Sequence, residues 1–194
     1  MLPQLQSVTI MQPNKVTNAH YHYSLLQERL FAIVMHQLQC HIKRVNEGVT
    51  FTQLDLFSTS DNILVHIPLN MLTSANNYKS VRDAAEDMIN IQLTFIDKKR
   101  DERVAASLFA SVTSPAEGKR SSYITITILK SVAKRLMEID YDTLRKTPVQ
   151  YTLFMLSVIY QCKNKYTPRI YKLLCSWKEK QHLPPMEIDK FRAW

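Results

Sequence analysis

Glycine is scarce in this chain. Only two glycines, Gly48 and Gly118, occur among the 194 residues. Loops that cradle phosphates and the fingerprint of dinucleotide-binding folds both need several glycines at fixed spacing, because the backbone must turn sharply and approach the ligand closely. Two isolated glycines can form neither motif. The sequence therefore disfavours nucleotide-dependent enzymes of these two classes.

Cysteine is also rare. The three cysteines, Cys40, Cys162 and Cys175, are odd in number and far apart. This usage is typical of reduced thiols in a cytosolic protein and not of a disulfide framework. No Cys-x-x-Cys pair occurs, which argues against a structural zinc site. We expect a cytoplasmic protein that holds no metal and no other cofactor.

Long apolar runs are absent. No stretch approaches the roughly 20 apolar residues that a membrane-spanning helix needs. The first residues, 1–13, are mildly apolar, but they have no basic start and no small-residue cleavage site, so they do not resemble a signal peptide. We therefore expect no membrane as a partner.

Positive charge is in excess. The chain has 25 Lys and Arg against 17 Asp and Glu, a formal net charge of +8. The excess is uneven, because residues 141–194 hold ten basic and four acidic residues, a net charge of +6. Such a balance favours a polyanionic partner, although a basic surface can also be merely solvated.

The spacing of apolar residues predicts a mixture of helices and strands. Ser24 and Gln27 have the spacing of a capping box, which marks a helix start. Residues 141–148 are predicted to be a connecting segment without helix or strand. Asp189 is the predicted N-cap of a helix that starts five residues before the end. The predicted helices are 24–44, 68–73, 77–90, 131–140, 150–162 and 168–181, and the predicted strands are 63–67, 91–96, 104–112 and 123–128. Residues 50–56 fit either a short strand or a loop, and the pattern does not decide between them.

In the helix 168–181, Thr167 is the predicted N-cap and Pro168 the first helical residue. The side chains expected to be buried on this helix are Ile170, Tyr171, Leu174 and Trp177.

The order of these elements predicts an α+β fold of the winged-helix type, in which a helix-turn-helix is followed by a β-hairpin wing. In that fold the second helix enters the major groove of DNA, and the wing contacts phosphates or the minor groove. The helix 77–90 and the charged turn after residue 96 take these places. The candidate DNA-binding residues are therefore Ser74, Asn76, Asn77, Lys79 and Arg82 at the N-terminal end of the helix, and Lys98, Lys99 and Arg100 in the turn. The other interpretation is that both are ordinary solvated surfaces, because acidic residues are interleaved with the basic ones.

Five segments are distinctive in their order and spacing. They are Asn18-Ala19-His20-Tyr21-His22-Tyr23-Ser24-Leu25-Leu26-Gln27-Glu28-Arg29-Leu30, Tyr123-Ile124-Thr125-Ile126 with Leu136, Tyr151-Thr152-Leu153-Phe154, Tyr166-Thr167-Pro168-Arg169-Ile170-Tyr171-Lys172-Leu173-Leu174 and Ile188-Asp189-Lys190-Phe191. Together they resemble the plasmid replication initiators that bind iterons, the direct repeats of a replication origin. The most specific of them is the Tyr-x-x-Arg-x-Tyr-x-Leu-Leu helix at residues 166–174.

The resemblance implies two winged-helix domains in tandem. Residues 1–148 would be the first domain, and residues 149–194 would be the opening helices of an incomplete second domain, without the helix that reads iteron bases in this family. Members of the family bind double-stranded DNA as monomers at the origin and as dimers that repress their own gene. The resemblance thus implies a homodimer, contacts with host replication proteins and no enzymatic activity.

Two other functions stay open at this point. A winged-helix transcription regulator would have the same fold, since a fold alone does not determine function. A rolling-circle replication nuclease uses a His-x-His metal pair, and His20 and His22 have that spacing. On an extended segment both rings would lie on one side, but no acidic third ligand lies beside them in the sequence. His36 and Cys40 have a second metal-like spacing, but a buried cysteine beside a histidine is the commoner interpretation.

Overall fold

The protein is described by a computed structural model that covers residues 7–19, 21–45, 62–73, 77–97, 101–114, 122–142, 144, 147–178, 185 and 187. These residues form helices and strands in the mixture that the sequence predicts. The chain divides into two compact units, residues 1–39 with 136–194 and residues 40–135. Both chain ends therefore belong to the same unit.

The first unit is built around a pair of antiparallel strands from opposite ends of the chain. Thr9 pairs with Met155 and Pro13 pairs with Tyr151. The elements of this unit are β1 (Thr9–Pro13), α1 (Asn14–Thr17), most of α2 (Leu25–Val45), β7 (Asp140–Asp142), β8 (Thr147–Val149), β9 (Tyr151–Met155), α5 (Leu156–Gln161) and α6 (Tyr166–Ser176).

Helix α2 begins as the capping box predicts. The backbone N of Ser24 donates to Gln27 Oε1 at 2.8 Å, and the backbone N of Gln27 donates to Ser24 Oγ at 3.2 Å. These two bonds satisfy N–H groups that a helix start leaves without partners. Every residue from 30 to 35 is buried. The predicted helix 24–44 is confirmed, and its middle turns are buried on all sides.

The helix predicted over residues 150–162 is wrong in its first half. Residues 151–155 form the strand β9, and only Leu156–Gln161 are helical. Along β9 the side chains alternate, with Thr152 and Phe154 buried and Leu153 and Met155 exposed. Strand β1 supplies the hydrogen-bond partners of this strand. Pairing with a distant strand thus overrides the local apolar run.

Helix α6 begins two residues earlier than predicted. Asn164 Oδ1 accepts hydrogen bonds from the backbone N of Tyr166 and of Thr167, both at 3.0 Å, so Thr167 lies in the first turn and is not the N-cap. The predicted buried face is also wrong. The buried residues are Pro168, Lys172 and Leu173, whereas Ile170 and Leu174, predicted to be buried, are 39% and 50% exposed.

The second unit contains a three-stranded antiparallel sheet in the order β2–β6–β5. One face of this sheet is buried, and the other carries the exposed side chains of Leu64 and Tyr123. The elements of this unit are β2 (Ile63–Pro68), a 3-10 turn (Leu69–Met71), α3 (Tyr78–Asp87) with a 3-10 turn (Met88–Asn90), β3 (Gln92–Asp97), β4 (Glu102–Ser107), β5 (Ser111–Thr113), β6 (Tyr123–Ile128) and most of α4 (Lys130–Met137).

The strand predicted over 104–112 is two strands that belong to different sheets. β4 pairs with β3, and β5 pairs with β6. Between them Leu108 and Phe109 are fully buried, and the backbone N of Leu108 donates to Ile91 O at 2.7 Å. Burial of this apolar pair redirects the chain. The connection predicted over 141–148 also differs, since β7 and β8 form a short hairpin there.

The predicted domain boundary between residues 148 and 149 lies inside the first unit, because residues 136–194 cluster with residues 1–39. Strand β9, which follows that boundary, pairs with β1, which precedes it. A second winged-helix domain in tandem stays a prediction. The undecided segment 50–56 and the predicted cap Asp189 lie outside the described residues.

Candidate nucleic-acid interface

Helix α3 presents a mixed polar face. Its apolar side is buried through Val81, Ala84 and Ala85. The opposite side exposes Lys79 and Ser80 in the first turn and Asp83, Glu86 and Asp87 further along. The positive charge of this helix therefore lies in its N-terminal half. That half is the part of a recognition helix that approaches base edges in helix-turn-helix proteins.

The residues predicted on this helix differ in their exposure. Asn77 and Lys79 are exposed, whereas Arg82 is half-buried. The Nε atom of Arg82 is buried and has no hydrogen-bond partner among the residues that the structure describes. The Asn77 side chain makes no capping bond to the helix, so it leaves the N–H groups of the first turn to other acceptors. Ser74 and Asn76 lie outside the described residues.

Strands β3 and β4 form a two-stranded ribbon after α3 and its 3-10 turn, with exposed side chains at Gln92 and Thr94 and at Glu102 and Arg103. The register runs from Gln92 opposite Ser107 to Asp97 opposite Glu102, which leaves residues 98–101 as the connecting turn. Asp101 closes this turn with a φ of 54°, in the left-handed region that aspartate tolerates better than most residues. Lys98, Lys99 and Arg100 lie outside the described residues.

Arg103 is a further basic residue of this ribbon that the sequence reasoning did not select. It is exposed and pairs with Ile96 near the turn. The signal was available, because it continues the basic run 98–100 past two acidic residues. The ribbon and the N-terminal half of α3 thus offer cations of the kind that neutralise phosphates.

A second group of charged residues is buried in the first unit, and the sequence reasoning missed its role. Lys172 Nζ lies 2.6 Å from Glu28 Oε2, and the two side chains are 1% and 2% exposed. Lys172 Nζ also lies 5.4 Å from the centre of the Phe154 ring and 5.8 Å from that of Phe31. The pair is therefore enclosed by aromatic side chains, where a cation is attracted to the ring faces.

Arginine side chains extend this network. Arg169 donates to the carbonyl oxygens of Ala19 and Tyr21, at 2.7 and 3.0 Å, and its guanidinium lies 4.2 Å from the centre of the Tyr21 ring. Arg29 donates to the carbonyl oxygens of Tyr160 and Cys162, at 3.0 and 2.9 Å. These contacts join α6 and α5 to the segment 19–31.

The enclosure shifts the pKa values of the groups inside it. Burial raises the pKa of Tyr21 and that of Tyr23. Burial by itself would lower the pKa of Lys172, but the neighbouring Tyr21 and Glu28 outweigh it, so the pKa lies above its ordinary value of 10.5. The ammonium group is therefore charged at neutral pH, and the ion pair is intact there.

This network joins two of the segments that carry the family resemblance, residues 18–30 and 166–174. A comparison with family models supplies the deciding observation. Residues 9–175 match the model described as Initiator Replication protein, WH1. This chain belongs to the initiator replication protein family. No curated protein matches the chain.

The family match fits the architecture of this initiator. Its model covers both strands of the β1–β9 pair, helix α3, the β3–β4 ribbon and nearly all of α6. The name of the model denotes a winged-helix domain, which agrees with the α+β fold predicted for residues 1–148. The predicted membership in this family is confirmed.

The described part of the initiator offers no cluster of metal-binding side chains. No group of three or more His, Cys, Asp or Glu side chains there is placed to hold a metal ion. His22 is exposed, and His20, its partner in the nuclease interpretation, lies outside the described residues. Among the described helices none is both long enough and apolar enough to cross a bilayer.

Proposed function

We propose that this initiator binds direct repeats in double-stranded plasmid DNA at a replication origin and acts without catalysis. Family membership supports a role in initiation. The observation that carries the DNA-binding proposal is the β3–β4 ribbon, whose turn contains three consecutive basic residues, after a helix with an exposed cationic first turn.

In this proposal α3 enters the major groove with its N-terminal end. Asn77 and Lys79 are exposed there, and Ser74, Asn76 and Arg82 are its neighbours in sequence. Asparagine and arginine can read base edges with paired hydrogen bonds, while lysine neutralises phosphates. The acidic residues of α3 lie in its second half, further from the groove.

The turn of the ribbon contacts the DNA backbone. Lys98, Lys99 and Arg100 neutralise phosphates and release counterions, which makes the affinity fall steeply with salt. The uneven distribution of charge along the chain adds a non-specific attraction to DNA, because residues 141–194 carry a net charge of +6.

We further propose that the protein forms a homodimer that represses its own gene, and that host replication proteins bind it in the cytoplasm. The outer face of the β2–β6–β5 sheet supports self-association. Leu64 and Tyr123 are 59% and 54% exposed on that face. Exposed apolar side chains of this kind mark protein interfaces when they lie together.

The proposal is tested by fluorescence anisotropy with labelled duplexes, one of random sequence and one with candidate direct repeats, from about 50 to 200 mM salt. We expect salt-sensitive binding that prefers the repeats. Reversing the three charges of the turn (K98E, K99E, R100E) should weaken binding and flatten the slope of log K against log salt by about 2.7, because each phosphate contact contributes about 0.9.

A matched control reverses three exposed lysines of the first unit (K163E, K165E, K178E). This variant has the same net charge as the turn variant, so a specific role of the turn predicts a smaller loss. Equal losses of affinity in both variants would indicate that the turn contributes only through the net charge of the protein. No binding at about 50 mM salt would refute DNA binding by this chain.

A further inference from the structure

The outer face of α6 is apolar although it faces solvent. Tyr166, Ile170 and Leu174 follow one another at intervals of four residues and are 65%, 39% and 50% exposed. Residues four apart lie on one face of a helix, so these side chains form a continuous row about 12 Å long. Among the described residues of the first unit, α6 packs through the buried Pro168, Lys172 and Leu173 and not through this row.

Strand β9 ends near α6 with a further exposed apolar side chain. The backbone N of Met155 donates to Tyr171 Oη at 3.0 Å, which fixes the end of β9 beside α6. Met155 is itself 42% exposed. We call Tyr166, Ile170, Leu174 and Met155 the α6 strip.

Positive charge flanks the α6 strip at the two ends of α6. Of the other basic residues nearby, Lys172 is buried against Glu28, and Arg169 is bound to the carbonyl oxygens of Ala19 and Tyr21. Lys163, Lys165 and Lys178 are exposed at the two ends of α6. Lys165 Nζ lies 5.2 Å from the centre of the Tyr166 ring, so charge and apolar surface are in direct contact.

We propose that the α6 strip binds an acidic amphipathic helix of a partner protein. Such a helix would place apolar residues, spaced three and four apart, on the strip, and carboxylates against the flanking lysines. Electrostatic complementarity of this kind selects the partner and speeds the encounter.

The same observations disfavour two other occupants. A second copy of the chain would bring like charges together across a two-fold interface, because the identical lysines would flank both strips. Single-stranded nucleic acid is bound largely by stacking of bases on aromatic rings. Three of the four side chains of the strip are aliphatic and offer no ring.

The test uses the full chain and a fluorescein-labelled peptide of about five helical turns. The peptide has leucine at positions spaced three and four apart and glutamate at most other positions. Two peptides serve as comparisons, one with the same composition in scrambled order and one with lysine in place of glutamate. We expect saturable anisotropy changes with the acidic helix, with a dissociation constant on the order of micromolar, and much weaker binding of both comparison peptides.

Two variants assign the binding to the α6 strip. I170S with L174S should weaken binding about tenfold or more, because central apolar anchors dominate such interfaces. K163E, K165E and K178E together should weaken binding without removing any apolar side chain, and raising salt should do the same. The turn variant K98E, K99E, R100E has the same net charge and should keep the affinity of the unaltered protein.

The proposal is independent of DNA binding, which is measured on the same variants with duplex DNA. Equal binding of the scrambled or the basic peptide would overturn it, as would full affinity in I170S with L174S. If these variants lose affinity for DNA but not for the acidic peptide, the α6 strip is a nucleic-acid contact. If they change only the sedimentation of the free protein, the strip is a contact between copies. Either result would overturn the proposal.

Discussion

Lys172 and Glu28 form an ion pair whose side chains are 1% and 2% exposed. Two buried charges are tolerated only because each compensates the other. Removal of one partner leaves the other charge buried without compensation, which destabilises the fold. We expect Lys172→Met to destabilise the fold by about 3–5 kcal/mol, measured by urea unfolding. Lys178→Met, at an exposed position near the end of α6, should change stability by less than about 0.5 kcal/mol.

The double variant Glu28→Gln with Lys172→Met separates the charge from the packing. Because it leaves no buried charge, it should recover a large part of the loss of Lys172→Met. An additive loss in the double variant would contradict this explanation and would indicate that the side-chain volumes matter and the ion pair does not.

Several buried groups predict how stability depends on pH. The pKa values of Tyr21, Tyr23 and Lys172 are all higher in the folded protein than their ordinary values of 10.0, 10.0 and 10.5. The unfolded chain therefore releases these protons first. The stability that these three groups contribute is fully present below about pH 10 and is lost as pH rises beyond it. Each such group lowers the free energy of unfolding by about 1.4 kcal/mol per pH unit in that range.

Urea unfolding at a series of pH values from 8 upward measures this loss. Tyr21→Phe should make the alkaline decrease shallower, since one of the titrating groups is then removed. A free energy of unfolding that stays constant beyond pH 11 would contradict burial of these groups.

At the scale of single elements, the assignment of residues 151–155 to a strand can be tested, because a strand alternates buried and exposed side chains and a helix does not. Phe154 is 1% exposed and its neighbour Leu153 is 45% exposed. Phe154→Ala should cost about 3–5 kcal/mol through the cavity that it leaves, and Leu153→Ala should cost far less. Thermal unfolding of the two variants measures the contrast. Similar losses at both positions would argue against the alternation of a strand.

Elements whose signals are local were predictable from the sequence. The cap of α2 and the alternation in β6 depend on neighbouring residues, so the predicted helix 24–44 and strand 123–128 agree with the structure. Strand β9 was not predictable in this way, because its partner β1 lies near the other end of the chain. The prediction of the buried face of α6 was wrong for the same reason, since the ion-pair partner of the buried Lys172 is a carboxylate 144 residues away in the sequence.

Helix α3 carries the second prediction at this scale. Lys79 is exposed in its first turn, so Lys79→Glu should weaken duplex binding by removing a phosphate contact and adding a repelled charge. Lys134→Glu on α4, at another exposed position, changes the net charge equally. Anisotropy titration of both variants at one salt concentration compares them. Equal affinities would remove α3 from the proposed interface.

Part of this candidate interface was accessible from the sequence. Helix α3 and strand β3 lie where the periodicity predicted them, whereas the strand predicted over 104–112 is divided between β4 and β5. Asn77 and Lys79 are exposed as a DNA contact requires. The half-buried position of Arg82 was not predictable, because the exposure of a residue on the edge of a helix depends on which other elements pack beside it.

At the scale of the whole molecule, self-association can be separated from the charge of the chain. A protein with a net charge of +8 repels its own copies, so a dimer needs apolar contact that outweighs this repulsion. The outer face of the β2–β6–β5 sheet offers such contact through Leu64 and Tyr123, and His66 lies between them with Nδ1 2.9 Å from Thr125 Oγ1.

The last prediction follows from this surface. In sedimentation velocity the unaltered protein should contain a species of twice the monomer mass, and raising salt should increase its fraction, because salt screens repulsion and leaves apolar contact in place. Leu64→Lys with Tyr123→Lys should yield monomer, whereas Leu153→Lys with Met155→Lys adds the same charge to the first unit and should leave the dimer. If Leu153→Lys with Met155→Lys dissociates the dimer and Leu64→Lys with Tyr123→Lys does not, the proposed dimer surface on the β2–β6–β5 sheet is wrong. The contact between copies then lies in the first unit.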